Sequence, residues 1–150
     1  MKWIDMNFKK SLWIGFLILE FGLHGAAAAM ADVVVVGNLA NQSTLTQDQV
    51  VKIFLGKARQ FPNGTVVKPV DQAEGRQPRQ EFLEKFLNKS EMALKSYWSG
   101  LVFTGNGVPP DTLGDDEAVK KFVAAQPNAL GYIDSKALDS SVKILYKPTN

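Results

Sequence analysis

Cysteine is absent from the 150 residues, and histidine occurs once, at position 24. Without cysteine there is no disulfide framework, no thiolate metal site and no cysteine nucleophile. His24 lies in a segment read below as removed, and without it a Ser-His-Asp triad, a Cys-His dyad and most zinc sites are excluded. An excess of one charge is also lacking, since 17 Lys and Arg stand against 15 Asp and Glu. No apolar run reaches the roughly 20 residues that a membrane-spanning helix needs. Beyond the N-terminal segment there is no internal repeat and no low-complexity tract. What remains is an ordinary globular mixture, 45% hydrophobic and 21% charged, at the length of one domain.

The first residues carry Lys2, Lys9 and Lys10, then an apolar stretch from Leu12 to Leu19 that is followed by Glu20. Small residues follow and end in Ala29-Met30-Ala31. A basic start, a short apolar centre and an A-x-A pattern make a secretory signal peptide, removed before Asp32. The protein is therefore expected to be periplasmic, and with no cysteine after the apolar run it is not a lipoprotein. Removing 31 of the 150 residues leaves 119, with 14 basic and 13 acidic groups and a net charge of +1. That balance gives no field for nucleic acid. A chain of this size buries about 65% of its unfolded surface, enough for a core without staples.

Val33 to Val36 reads as a strand buried on both faces. Thr46 is placed to cap a short helix over 47–55, with Val50, Val51, Phe54 and Leu55 on one side and Gly56 as its stop. Phe61-Pro62-Asn63-Gly64 is a turn. Val66, Val67 and Val70 predict a second strand that ends at Pro69 or lies at an edge. Asp71 to Gln77 reads as a polar loop, and Pro78 opens a helix carrying Phe82, Leu83, Phe86 and Leu87, which Asn88 ends. A third helix is expected over 90–98, with Met92, Leu94, Tyr97 and Trp98, and a loop over 103–110. Asp115, Asp116 and Glu117 load the front of a fourth helix, whose Val119, Phe122 and Val123 face inward until Pro127-Asn128. Leu130–Ile133 and Val142–Tyr146 are the last strands. The order β-α-β-α-α-α-β-β predicts an α/β layer fold.

In such folds ligands meet the carboxyl ends of strands beside helix N-termini. The Asp71–Gln77 loop has that position. Arg76 and Arg79 flank the helix start, and guanidinium forks suit oxyanions. The alternative is a solvated face in which both arginines pair with Glu74, Glu81 or Glu84. Asp115-Asp116-Glu117 is read as helix capping in preference to calcium binding, since no EF-hand spacing accompanies it. Tyr97-Trp98 is read as core in preference to a sugar platform. Gly105-Asn106-Gly107 has no strand before it and is a weak phosphate-loop signal. Asp71 and Glu74 are the carboxylates an enzyme would need, but no nucleophile accompanies them.

Several landmarks then occur in order. Leu45-Thr46 with Ile53-Phe54-Leu55-Gly56-Lys57, the Phe61–Gly64 turn, Tyr97-Trp98, Phe103-Thr104-Gly105, Pro109-Pro110 and Pro127-Asn128-Ala129-Leu130-Gly131-Tyr132-Ile133 together resemble the substrate-binding proteins of phosphate ABC transporters. These belong to the type II periplasmic-binding-protein superfamily. The resemblance covers nearly all of residues 32–150 and implies one lobe of a fold that uses two, a mixed sheet with flanking helices. It implies a non-catalytic protein that holds phosphate or another oxyanion, without cofactor or metal. The matching ligand positions are Gln72, Glu74, Gly75, Arg76, Gln77 and Arg79, with Thr104 and Gly105. The partners implied are a membrane transporter or an envelope protein, and a second copy. The family's phosphate loop reads Arg-Ser-Asp-x-Ser-Gly-Thr, whereas this chain has Gln72 for the Arg, Glu74 for the Asp and Arg76-Gln77-Pro78 for Ser-Gly-Thr. Half the contacts of a micromolar site give affinity near the millimolar end, about −4 kcal/mol. The alternative function is therefore an envelope interaction module that keeps the lobe and has lost small-anion binding.

Overall fold

The computed structural model describes residues 32–149; the expected signal peptide lies outside them. One mixed five-stranded sheet organises the chain, in the order β3-β2-β4-β1-β5. The strands are β1 (Val33–Gly37), β2 (Lys68–Gln72), β3 (Asp111–Leu113), β4 (Ala129–Asp134) and β5 (Lys143–Tyr146). The helices are α1 (Gln47–Phe54), α2 (Gln77–Phe82, continued by a π-helical turn over Leu83–Leu87), α3 (Glu91–Phe103) and α4 (Asp116–Ala125). β2 runs parallel to β3 and β4, while β1 is antiparallel to β4 and β5.

The valine run of β1 is buried throughout because both sheet faces are covered. Val33 and Val35 join one apolar cluster with Phe54, Phe82, Trp98 and Tyr132. Val34 and Val36 join a second with Val70, Val119, Val123 and Ile133. Alternation of side chains along a strand produces this division. Both ends of α1 are set locally. Thr46 and Gln49 form a reciprocal capping box, and Gly56 takes φ +70° after the last turn.

Three expectations need correction. β2 neither stops at Pro69 nor lies at an edge, because it continues through Gln72 between β3 and β4. Lys68 N–H donates to Asn128 O at 2.8 Å, on the β4 side. Position 69 therefore turns toward β3, where pairing starts only at Val70↔Asp111. The missing donor of Pro69 falls where no partner stands, which is why the ring is tolerated. Second, α3 runs five residues past Trp98, and Gly100 does not interrupt it. Third, a short strand, β3, follows the breaker-rich stretch, so the order is β-α-β-α-α-β-α-β-β. Three residues leave too little alternation for a strand pattern.

Candidate functional site

The carboxyl ends of β2, β3 and β4 lie together where α2 and α4 begin. This is the ligand end of an α/β sheet. The residues there are largely bound to one another. Gln72 is fully buried; its Nε2 donates to Asp116 Oδ1 at 2.7 Å and to Tyr132 O at 2.9 Å. Its Oε1 has no partner among the described residues. Asp71 accepts from the Tyr132 hydroxyl and pairs with Arg79.

Arg79 is 6% exposed. Its Nε and Nη2 grip Glu91 at 2.7 and 2.9 Å, and its Nη1 donates to Gln72 O at 3.0 Å and pairs with Asp71. Four of the five donors of the guanidinium fork are thus engaged. Burial opposes the charge, but Glu91 and Asp71 outweigh it and hold Arg79 above the ordinary arginine value. Burial, reinforced by the Asp71 charge, pushes the Tyr132 phenol above the ordinary tyrosine value.

The other expected ligand residues lie partly in the loop that opens α2 and partly at the end of α3. Glu74 is exposed and pairs with Lys95 at 2.9 Å, which lowers its carboxyl pKa. Gly75 supplies the turn with φ +79°. Exposed Arg76 is the N-cap of α2 and makes no side-chain capping bond, and Gln77 is the first helical residue. Thr104 is the C-cap of α3, and its hydroxyl donates to Gly100 O at 3.1 Å. Gly105 follows it with φ +70°. At 1.5 Å per residue, α3 places Thr104 about 20 Å along its axis from Glu91, the residue that holds Arg79. Arg79 and Gln72 are brought together, whereas Thr104 and Gly105 are not gathered with them.

Negative groups crowd the same end. Asp115 caps α4 through Ala118 N–H at 2.9 Å, and Asp116 also accepts from Asp134 N–H at 3.3 Å. A carboxylate of the chain itself thus holds the first turn of α4, where an external anion would sit. Tyr97 and Trp98 belong to the packing: Trp98 is 8% exposed, and the Tyr97 hydroxyl donates to Leu55 O at 2.6 Å.

Beside this network opens a cleft of about 660 Å³. Leu94, Trp98, Val102 and Phe103 of α3 form one wall, Pro109, Pro110 and Thr112 the other, and Asp71 with Arg79 the floor. Sequence reasoning missed it by ending the helix at Trp98. The signal lay in positions 94, 98 and 102, which continue one helical stripe.

No protein-family model matches the chain, and no curated protein does. Solved structures do. A Clostridium perfringens protein, assigned to phosphate ABC transport as a substrate-binding protein and solved with phosphate bound, superposes with TM-score 0.62 at 21% identity over 77% of this chain. An ABC-type phosphate transport receptor of Vibrio cholerae gives 0.61 at 20% over 79%. PstS of Borrelia burgdorferi gives 0.56 at 12% over 77%. The fold is that of a phosphate-binding-protein lobe. The chain spans 44%, 49% and 46% of those three structures, less than half of each. Within this phosphate-binding-protein fold, the loop that opens α2 is Ala73-Glu74-Gly75-Arg76, and the strand beneath it ends in the Asp71–Gln72 network.

Proposed function

We propose that this chain is a non-catalytic binding lobe of the cell envelope whose task is contact with a protein partner, in place of phosphate capture. The observation that carries the reading is the state of Arg79. Its charge is matched inside the protein by Asp71 and Glu91, so an arriving anion must break a part-buried bidentate pair before it gains a cation. Asp71, Glu74, Asp115, Asp116 and Asp134 add repulsion at the same end. Asp71 and Glu74, the carboxylates an enzyme would use, are themselves held in ion pairs. The chain also spans less than half of each of these three structures that share its fold. A membrane transporter or another envelope protein is the partner class this fold suggests. Export with removal of residues 1–31 belongs to this reading; an intact mass that retains them would contradict it.

One observation favours the oxyanion reading. Arg76 is exposed beside Gly75, at a helix start with no side-chain cap, and makes no ion pair among the described residues. Such a site would be open on one side and weak, near millimolar. Calorimetric titration of phosphate, with sulfate as control, decides. The expected result is no saturable heat below about 1 mM. A micromolar, phosphate-selective isotherm abolished by Arg76→Ala would overturn the proposal.

A further inference from the structure

Phe103 is 93% exposed, Val108 84% and Val102 54%. Scattered hydrophobes on a surface are ordinary, but these line two hollows that share Trp98 and Pro110. Val102 and Phe103 line the 660 Å³ cleft together with Pro109 and Pro110. Trp98 and Pro110 also line a second hollow of about 270 Å³, where Val108 and Val66 are exposed. The two hollows thus share a rim. β3 forms the sheet edge beside the first, so its outer backbone groups have no neighbouring strand among the described residues.

We propose that a second copy of this chain docks on this surface, the Phe103 ring of each copy entering the cleft of the other. The inference rests on the partner-binding reading above and names the partner.

Two features select a like copy. An isologous dimer needs one patch that is both projection and hollow, and here Phe103 projects at the rim of the cleft it would fill in its partner. The surrounding charge is mixed. Lys95 pairs with Glu74 at 2.9 Å, and Lys68 with Asp111 at 3.7 Å. A surface of one sign would repel its own copy, whereas these charges are paired within the chain and leave the surroundings of the cleft close to neutral. A strongly basic or acidic partner would find no matching field there.

Sedimentation velocity on protein purified after expression of the full chain tests the proposal, over about 1 µM to 1 mM in phosphate-free buffer. The mass is expected to pass from monomer to dimer within that range. Phe103→Asp is expected to weaken association by about tenfold or more, while Met92→Asp, exposed in the first turn of α3 and outside the cleft, leaves it unchanged. Phe103 is so exposed that its replacement leaves the fold intact, which far-ultraviolet circular dichroism verifies. The absence of cysteine allows a second measurement. Ser99→Cys, in the cleft wall, is expected to cross-link to itself, and Lys143→Cys, on the opposite edge strand, is not. A monomer throughout, a dimer indifferent to Phe103→Asp, or cross-linking only through position 143 would overturn the proposal. A monomer whose cleft takes up an apolar dye would assign the surface to small ligands instead. A monomer with silent phosphate calorimetry would sink the dimer alone, whereas micromolar phosphate binding would sink the partner-binding reading.

Discussion

Replacing Arg79 by methionine separates a structural cation from a ligand-binding one. The methionine keeps most of the apolar stem and removes the charge. Asp71 and Glu91 are then left without their counter-ion, and Gln72 O loses a donor. Removing one partner of a buried pair costs about 3–5 kcal/mol. Two features place this case at the lower end. The Glu91 side chain is 31% exposed and can turn to water. Asp71, at 14%, still accepts from Tyr132 and from Gln72 N–H. The expected loss is therefore about 3 kcal/mol, a fall in melting temperature of roughly 12 °C at about 4 °C per kcal/mol for a domain of this size. Urea unfolding followed by fluorescence suits the measurement, because Trp98 is the one tryptophan of the described residues and is buried. Glu91→Gln should cost less, since Asp71 still matches the guanidinium. A loss below about 1 kcal/mol, together with abolished anion binding, would refute the argument and make Arg79 a ligand group.

Gly131→Ala in β4 would place its Cβ 2.5 Å from Val119 Cγ1 of α4, so overpacking should destabilise by about 1–3 kcal/mol. Val119→Ala in the same chain should recover part of that loss, and strictly additive urea midpoints would disprove the contact. Tyr132 has its folded-state pKa raised by burial and then by the Asp71 charge, so the neutral phenol is the form the fold favours. Its contribution is full below the unfolded tyrosine value of about 10 and is lost as pH rises beyond that toward the raised folded value. Stability should therefore fall on the alkaline side, and Tyr132→Phe should flatten that fall; an unchanged slope between about pH 9 and 11 would contradict the assignment.

Much of the frame was legible because local chemistry specified it. The Thr46 cap with Gln49 three residues on, the fourfold valine run, and Asp115 before a stripe of Val119 and Val123 each state one structure without reference to distant residues. Landmarks spread over the chain pointed to the phosphate-binding-protein fold, which solved structures share at 12–21% identity. Where Pro69 was misread, the deciding fact was the side of the strand on which its neighbour bonds. That depends on which strands lie beside it.

The site was less legible than the frame. Arg76 and Arg79 are three apart and look alike in sequence, yet one is exposed and the other 6% exposed among carboxylates. Composition and periodicity determined an α/β domain with two covered sheet faces, no cysteine chemistry, no histidine beyond position 24, and no bulk charge. Tertiary structure alone decided that Glu91, twelve residues beyond Arg79 in sequence, would take its guanidinium, and that Asp116 would reach Gln72. It also decided that Phe103 would stand in solvent beside a cleft. The physical reason is that a side chain's local pattern sets its helix or strand, whereas its charge state, partners and burial depend on elements brought from far along the chain.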